Sequence, residues 1–169
     1  MRGDKLDGIA KHVLRKTNSN YLGVFARDQL PNLHSVSYPC CFICNTDPAH
    51  LPGTHWVSFY LSAPNCIEFF DSYGMHPSTY GFTITITSHN TLQFQSLHSH
   101  VCGEYCIYYL YIRSHCKCSL GKYFNTKLLS QNDKKVARWV KNLLNHSNIP
   151  IPKCASSSHC IQTCKCRTH

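Results

Sequence analysis

Apolar residues recur along this chain with a helical period near both ends. Near the start, the spacing i, i+3, i+4, i+7, i+8 predicts a short amphipathic helix, carried by Leu6, Ile9, Ala10, Val13 and Leu14. Toward the far end, a similar pattern predicts a second helix, carried by Val136, Trp139, Val140, Leu143 and Leu144. Each helix has one apolar face, which we expect to pack against a common core.

Between these helices lie short segments rich in aromatic and β-branched residues, which favour strands. They predict strands at 40–45, 56–61, 66–70 and 83–87, and a shorter one at 92–95. The chain is one ordinary domain in length at 169 residues. Helices flanking a small mixed or antiparallel sheet make a single α+β domain the expected fold class.

The strands at 56–61 and 66–70 are separated by Ser62-Ala-Pro-Asn65, which is typical of a turn. Folding a hairpin about this turn brings His55 and Asp71 within a residue of being opposite each other at its open end. Directly opposed side chains have Cβ atoms roughly 4.5–5.5 Å apart, so a carboxylate there reaches an imidazole N–H. The hairpin therefore predicts a His–Asp pair at its mouth.

Cys102 precedes an almost uninterrupted apolar and aromatic run that ends at Ile112 and must be largely buried. Propensity alone favours a strand at 107–112, because Tyr and Ile prefer sheets. If the run is a helix, Cys102 lies in its first turn, where the dipole and free N–H groups favour a thiolate. Gly103 would let a substrate carbonyl approach the backbone, and the Cys102 N–H can donate to an oxyanion.

A histidine, a carboxylate, a cysteine and Gln95, seven residues before Cys102, supply the groups that a thiol hydrolase needs. The motifs His-Trp, Asp-x-aromatic-Gly and Gln-x6-Cys-Gly resemble those of adenain, the adenovirus endopeptidase. The pair Cys102 and Cys106 and the aromatic-Leu-Gly motif at 21–23 are similar too, and the resemblance covers residues 5–145. SUMO-specific proteases share the residue order, but they usually place Gln one residue closer to Cys and Asp directly before Cys.

The resemblance implies a papain-related protease layout of the adenain and SUMO-protease type, with the thiol of Cys102 on a helix and the imidazole of His55 on the sheet. It makes Cys102 the nucleophile, His55 the general base and acid, Asp71 the group that orients His55, and Gln95 an oxyanion donor. It implies no cofactor for the chemistry, and viral capsid or core precursor polypeptides, cut at glycine-containing sites, as substrates. It also implies an activating peptide and DNA as partners, and the virion and host cell nucleus as the location.

Three features depart from the adenain pattern. Asp71 stands where adenain has Glu, and Glu104 adds a negative charge two residues after Cys102. No cysteine lies between Cys66 and Cys102, so the disulfide that tethers the adenain activating peptide cannot be transferred. We expect any activating peptide to bind untethered. The alternatives are a SUMO or ubiquitin-like isopeptidase of the same clan and a non-enzymatic basic nucleic-acid-binding module.

Two site assignments have rivals in the sequence. His98 and His100 lie just before Cys102 and are rivals to His55 as the base, but neither has an adjacent carboxylate. Gln93 has the same strand face as Gln95, and the spacing to Cys102 favours Gln95.

The chain has 17 Lys and Arg against 8 Asp and Glu, for a formal net charge of +9. Such an excess predicts salt-dependent attraction to polyanions such as DNA. The alternative explanation is that the positive charge only makes the surface basic and soluble. We expect no secretion signal, and no membrane span, because no apolar stretch approaches ~18 residues.

Eleven of the twelve cysteines remain to be weighed beside the candidate nucleophile. Cys40, Cys41 and Cys44 lie in a predicted strand and are expected to be packing residues, as are Cys66 and Cys106. A Cys-, Ser- and Pro-rich tail at 147–169 follows the protease-like domain at 1–146. The tail is predicted to be loosely ordered or disulfide-prone, with zinc binding or a strap across the domain as alternatives.

Overall fold

A five-stranded mixed sheet organises the fold in the computed structural model, which describes residues 1–115 and 120–145. The strands are β1 (Asn20–Phe25), β2 (Cys40–Asn45), β3 (Trp56–Ala63), β4 (Cys66–Phe70) and β5 (Ser88–His89). They lie in chain order across the sheet, with β2, β3 and β4 antiparallel and the two outer strands parallel to their neighbours. The α+β class predicted from the sequence is confirmed.

Three helices enclose a core with one face of this sheet. They are α1 (Gly3–Leu14), α2 (Cys102–His115) and α3 (Leu129–Asn145). The helix α2 lies centrally and contacts β3, α1 and α3. The five apolar residues that predicted α1 are all buried. In α3 the prediction holds except at Leu144, which is exposed.

The opposite face of the sheet is covered by loops instead of helices. Its core is a cluster of rings. The centroids of Phe42 and Phe59 lie 4.6 Å apart with the rings stacked, and those of Phe59 and Phe69 lie 5.2 Å apart with the rings edge to face. Loop residues pack over these rings, among them Leu30, Leu33, Phe82, Ile84 and Ile86. A sheet with two apolar faces explains why every residue of β2 is buried.

The packing on both faces of the sheet also buries several cysteines. Cys40, Cys41, Cys44 and Cys106 are free, buried thiols, as packing residues should be. Burial raises the pKa of Cys41 and of Cys44 to about 12, which makes both thiols unreactive. Cys66 was predicted to be a packing thiol too, and this prediction is wrong because Cys66 is disulfide-bonded.

Tertiary contacts explain why α2 is helical although its residues favour strands. Arg113 binds Glu68 of β4 through two hydrogen bonds of 2.7 and 2.5 Å. Tyr109 donates to the same carboxylate, and Tyr105 donates to the backbone of Phe94. From the helix these long side chains reach partners on the sheet and loops, and this packing overrides the local preference.

Three strand predictions need correction. Residues 83–87 and 92–95 form no strand, and within residues 83–95 only Ser88–His89 forms a strand, which pairs with β4. Alternation at 83–87 arises because Ile84 and Ile86 pack over the loop-covered face. The strand β1 was not predicted, because its sequence has no clear alternation.

The remaining predictions about organisation fall partly outside the described residues. The tail at 147–169 lies outside them. Within residues 1–115 and 120–145, no helix is long and apolar enough to cross a membrane.

We predict that Arg113→Met lowers the free energy of unfolding by about 3 kcal/mol, because it leaves the Glu68 carboxylate poorly solvated without its partner. The two side chains are only 11% and 14% exposed. Lys11→Met removes a pair to Asp7 in which the lysine is 66% exposed, and should cost less than about 1 kcal/mol. Urea denaturation measures both, and equal losses would contradict a special role for the Glu68–Arg113 pair.

Candidate active site

His55 and Asp71 meet at the mouth of the β3–β4 hairpin. His55 directly precedes β3 and Asp71 directly follows β4. The imidazole Nε2 lies 2.6 Å from Asp71 Oδ1, and both residues are buried. In the hairpin Ser58 pairs with Phe70, so His55 and Asp71 lie two positions from being directly opposite, one more than predicted. The two side chains therefore meet diagonally, and the predicted contact is present.

The Asp71 carboxylate is held from several sides. Besides His55, Oδ1 accepts the backbone N–H of Tyr73 at 3.0 Å, and Oδ2 accepts the Met75 N–H at 3.1 Å and the Tyr80 hydroxyl at 2.8 Å. Burial alone would raise the pKa of Asp71, but these hydrogen bonds and the neighbouring imidazole lower it. Asp71 is therefore fixed as a carboxylate facing His55.

Two of the residues around Asp71 were missed by the sequence analysis. Asn90 accepts from the Asp71 N–H at 2.9 Å and donates to the Asp71 carbonyl at 2.7 Å, replacing a missing strand partner. Tyr80 supplies the hydroxyl to Oδ2 from the end of a short turn of 3-10 helix, Pro77–Tyr80. Hydrogen bonds of Asp71 with side chains 9 and 19 residues away leave no periodic pattern of apolar positions. The sequence could therefore not reveal them.

The second nitrogen of His55 is left for Cys102. With Nε2 bound to Asp71, Nδ1 is buried and makes no hydrogen bond of standard geometry within the described residues. Burial lowers the pKa of His55, but the hydrogen bond and negative charge of Asp71, together with Cys102 in its thiolate form, outweigh it and raise the pKa to about 9. An imidazole that binds protons this well is suited to receive one from a thiol.

Cys102 is the first residue of α2 and is 8% exposed. The predicted position at a helix start is therefore observed, and it places the thiol in the first turn, where free backbone N–H groups favour a thiolate. Gly103 was expected to admit a substrate carbonyl. The structure gives it a packing reason, because a Cβ there would lie 3.1 Å from a Leu6 methyl and 3.6 Å from Trp56.

Glu104 lies in the first turn after Cys102 and is partly buried. One oxygen, Oε2, has no hydrogen-bond partner within residues 1–115 and 120–145. Burial raises the pKa of Glu104, although its own backbone N–H, the chain's amino terminus and Lys5 partly oppose the shift. Burial therefore makes the Glu104 carboxylate easier to protonate than an exposed one.

Gln95 is fully buried beside these groups. Its Oε1 accepts the Ser72 hydroxyl at 2.6 Å, and its Nε2 donates to the Ser99 carbonyl at 2.9 Å and to the Tyr73 hydroxyl at 3.3 Å. Gln93 instead donates to the Gln95 carbonyl. The structure thus brings Gln95, and not Gln93, into the network around Tyr73, with its amide already hydrogen-bonded.

The loop that carries Gln95 is fastened to α3. Asn132 donates to the Phe94 carbonyl at 3.1 Å, and Asp133 accepts the Ser96 hydroxyl at 2.5 Å. Tyr105 of α2 donates to the same Phe94 carbonyl at 2.9 Å. Two helices therefore fix the position of Gln95.

The rivals to His55 stay outside this network. His98 and His100 are both exposed, whereas His55 is buried and bonded to Asp71. Within the described part of the chain, no group of three or more His, Cys, Asp or Glu residues could hold a metal ion.

Comparison of the chain with models of protein families and with curated proteins finds no match. The adenain resemblance therefore remains a prediction from the motifs, and the functional argument depends on the geometry of the site.

We predict that the free energy of unfolding falls as pH rises from about 6.5 through about 9. Because folding raises the pKa of His55 to about 9, its stabilising contribution is complete below the unfolded value of ~6.5 and is lost above the folded one. Asp71→Asn should reduce this fall, since the imidazolium loses its ionic partner. Thermal denaturation at a series of pH values measures the effect.

A matched control is His12→Gln, which removes an exposed imidazole and should preserve the wild-type pH dependence. If Asp71→Asn and the wild type lose the same stability over this interval, the His55–Asp71 pair is not its source.

Proposed function

We propose that the chain is a cysteine endopeptidase in which Cys102 is the nucleophile. One observation carries the proposal: a buried His55–Asp71 hydrogen bond of 2.6 Å that leaves Nδ1 to the thiol at the start of α2. This arrangement provides a nucleophile, a base and a group that fixes the base.

The chemistry begins with transfer of the Cys102 proton to His55. The thiolate sulfur attacks a peptide carbonyl carbon, a C–S bond forms, and the carbonyl π electrons move to oxygen. As the C–N bond breaks, the imidazolium returns a proton to the leaving amine. Water then hydrolyses the thioester, with His55 accepting its proton, and the free thiol is restored.

The substrate class rests on the motif resemblance. The proposed substrates are viral capsid or core precursor polypeptides with glycine-containing cleavage sites, and the proposed locations are the virion and the host cell nucleus. A ubiquitin-like isopeptidase of the same clan would use identical chemistry. Cleavage of glycine-containing peptides against release of ubiquitin-like C-terminal tails separates the two.

DNA is a proposed partner, and α3 is the proposed contact. Its residues Lys134, Lys135, Arg138 and Lys141 are exposed, and its one acidic residue, Asp133, is buried. Without an acidic neighbour on the exposed side of the helix, these cations form a surface suited to phosphates. An activating peptide that binds without a disulfide remains part of the proposal.

We predict that Cys102→Ala and His55→Ala each abolish cleavage of a glycine-containing peptide, because nucleophile and base act as one unit. Asp71→Asn should reduce kcat less completely. Cys106→Ala is the matched control, since it removes another buried thiol of α2 and should keep activity. Steady-state kinetics with circular dichroism to verify folding provides the measurement, and activity in Cys102→Ala would exclude a cysteine protease.

We predict that DNA binds without sequence preference and that its affinity falls steeply with salt, because phosphate contacts release counterions. Lys134→Glu combined with Arg138→Glu should weaken binding and flatten the salt dependence. Arg2→Glu combined with Arg15→Glu changes the net charge equally at the two ends of α1 and serves as the control. Fluorescence anisotropy with labelled duplex DNA measures both. Equal weakening would assign binding to overall charge and not to α3.

A further inference from the structure

The buried amide of Gln95 has no N–H left for a substrate. A side-chain amide has two N–H donors and one oxygen acceptor. The donors go to Ser99 and Tyr73, and the oxygen accepts the Ser72 hydroxyl. The side chain is also fully buried, so a substrate oxygen cannot reach it without rearrangement. An oxyanion donor must therefore be sought among its neighbours.

Tyr73 is the neighbour that faces both Gln95 and the base. Its ring lies 4.8 Å from the His55 imidazole, tilted by 30°, and its hydroxyl accepts from Gln95. Its backbone N–H donates to Asp71, which fixes the residue beside the His–Asp pair. Unlike the Gln95 amide, the Tyr73 side chain is only partly buried.

The Tyr73 hydroxyl is a neutral donor on the ring that packs against the His55 imidazole. Burial raises the pKa of Tyr73, and a negative charge on Cys102 raises it further, so the phenol keeps its proton at neutral pH. An O–H that accepts a hydrogen bond is polarised and becomes a stronger donor, as expected for the Gln95–Tyr73 pair.

We propose that the Tyr73 hydroxyl is the side-chain donor to the oxyanion, and that Gln95 positions and polarises it. The inference rests on the proposed cysteine endopeptidase function. When sulfur attacks the carbonyl carbon, the new negative charge on oxygen accepts the Tyr73 O–H and the Cys102 N–H. The phenol proton stays on Tyr73 throughout, and the electron pair returns to re-form the carbonyl as the C–N bond breaks. Tyr73 is then a catalytic residue and Gln95 a positioning residue.

The test is Tyr73→Phe, which keeps the ring beside His55 and removes only the hydroxyl. The probe is a fluorogenic peptide of the Leu-x-Gly-Gly type. We expect kcat to fall about 10²-fold or more with little change in KM, the size of effect seen when one oxyanion donor is removed. Alkylation of Cys102 by iodoacetamide should be unchanged at every pH, because attack on a CH2 carbon creates no oxyanion.

A double-mutant cycle tests the role of Gln95. Gln95→Ala should lower kcat in the wild-type background and add little in the Tyr73→Phe background, since Gln95 acts through the missing hydroxyl. Additive losses would instead mean that Gln95 contributes independently of Tyr73, and this would overturn the positioning role.

Tyr80→Phe is the matched control. It removes the hydroxyl of the other tyrosine beside His55, one that donates to Asp71. Because Tyr80 acts on the His–Asp pair, its loss should shift the pH dependence of alkylation, which Tyr73→Phe should not do. The pH dependence of alkylation thereby distinguishes the role of the Tyr80 hydroxyl from that of the Tyr73 hydroxyl.

Other results overturn the inference in distinguishable ways. If kcat of Tyr73→Phe stays within about twofold of wild type, the hydroxyl is no oxyanion donor. If alkylation falls in parallel with cleavage, Tyr73 positions the His55–Cys102 pair instead. If wild-type Cys102 is alkylated no faster than in His55→Ala and no peptide is cleaved, the proposed function fails, and the oxyanion role fails with it.

Discussion

The carboxylate of Asp71 is the group on which the candidate site depends. It lies at the end of a strand, where the sheet no longer supplies backbone partners, and it is fully buried. A charge in that position is tolerable only if donors surround it. Donors from the following turn, from Tyr80 and from His55 meet this requirement. The imidazole is therefore fixed as a consequence of satisfying a buried charge, with its other nitrogen left to the thiol.

The sequence revealed those parts of the site that arise from local geometry. The turn after β3 places His55 and Asp71 at one hairpin mouth, and a long apolar run after Cys102 indicates burial. What it could not reveal is how separated loops come together. Asn90 completes the backbone of Asp71 across 19 residues, and Tyr80 reaches it from a 3-10 turn. Such contacts depend on loop conformation, which apolar periodicity does not encode.

The same distinction explains the errors in the fold. Alternation at 83–87 was interpreted as a strand, but the alternate residues cover aromatic rings on the sheet without pairing with it. Local propensity favoured a strand at 107–112, and the helix there is stabilised by ties such as that between Arg113 and Glu68. The motif resemblance predicted this helix where propensity did not. The pattern of apolar residues indicates which positions are buried, whereas the segments that pack against them determine whether they form a helix or a strand.

The loop-covered face of the sheet has a consequence for how this protein loses activity. Residues 74–87 contain no strand, yet they cover the ring cluster of Phe42, Phe59 and Phe69. They also carry Tyr80, whose ring packs near Phe69 and Phe82. Segments with few backbone hydrogen bonds open before helices and central strands do. Opening this cover removes the Tyr80 hydroxyl from Asp71 while the helical layer remains folded. Mild heating or proteolysis should therefore disable the site in molecules that still look native by helix content.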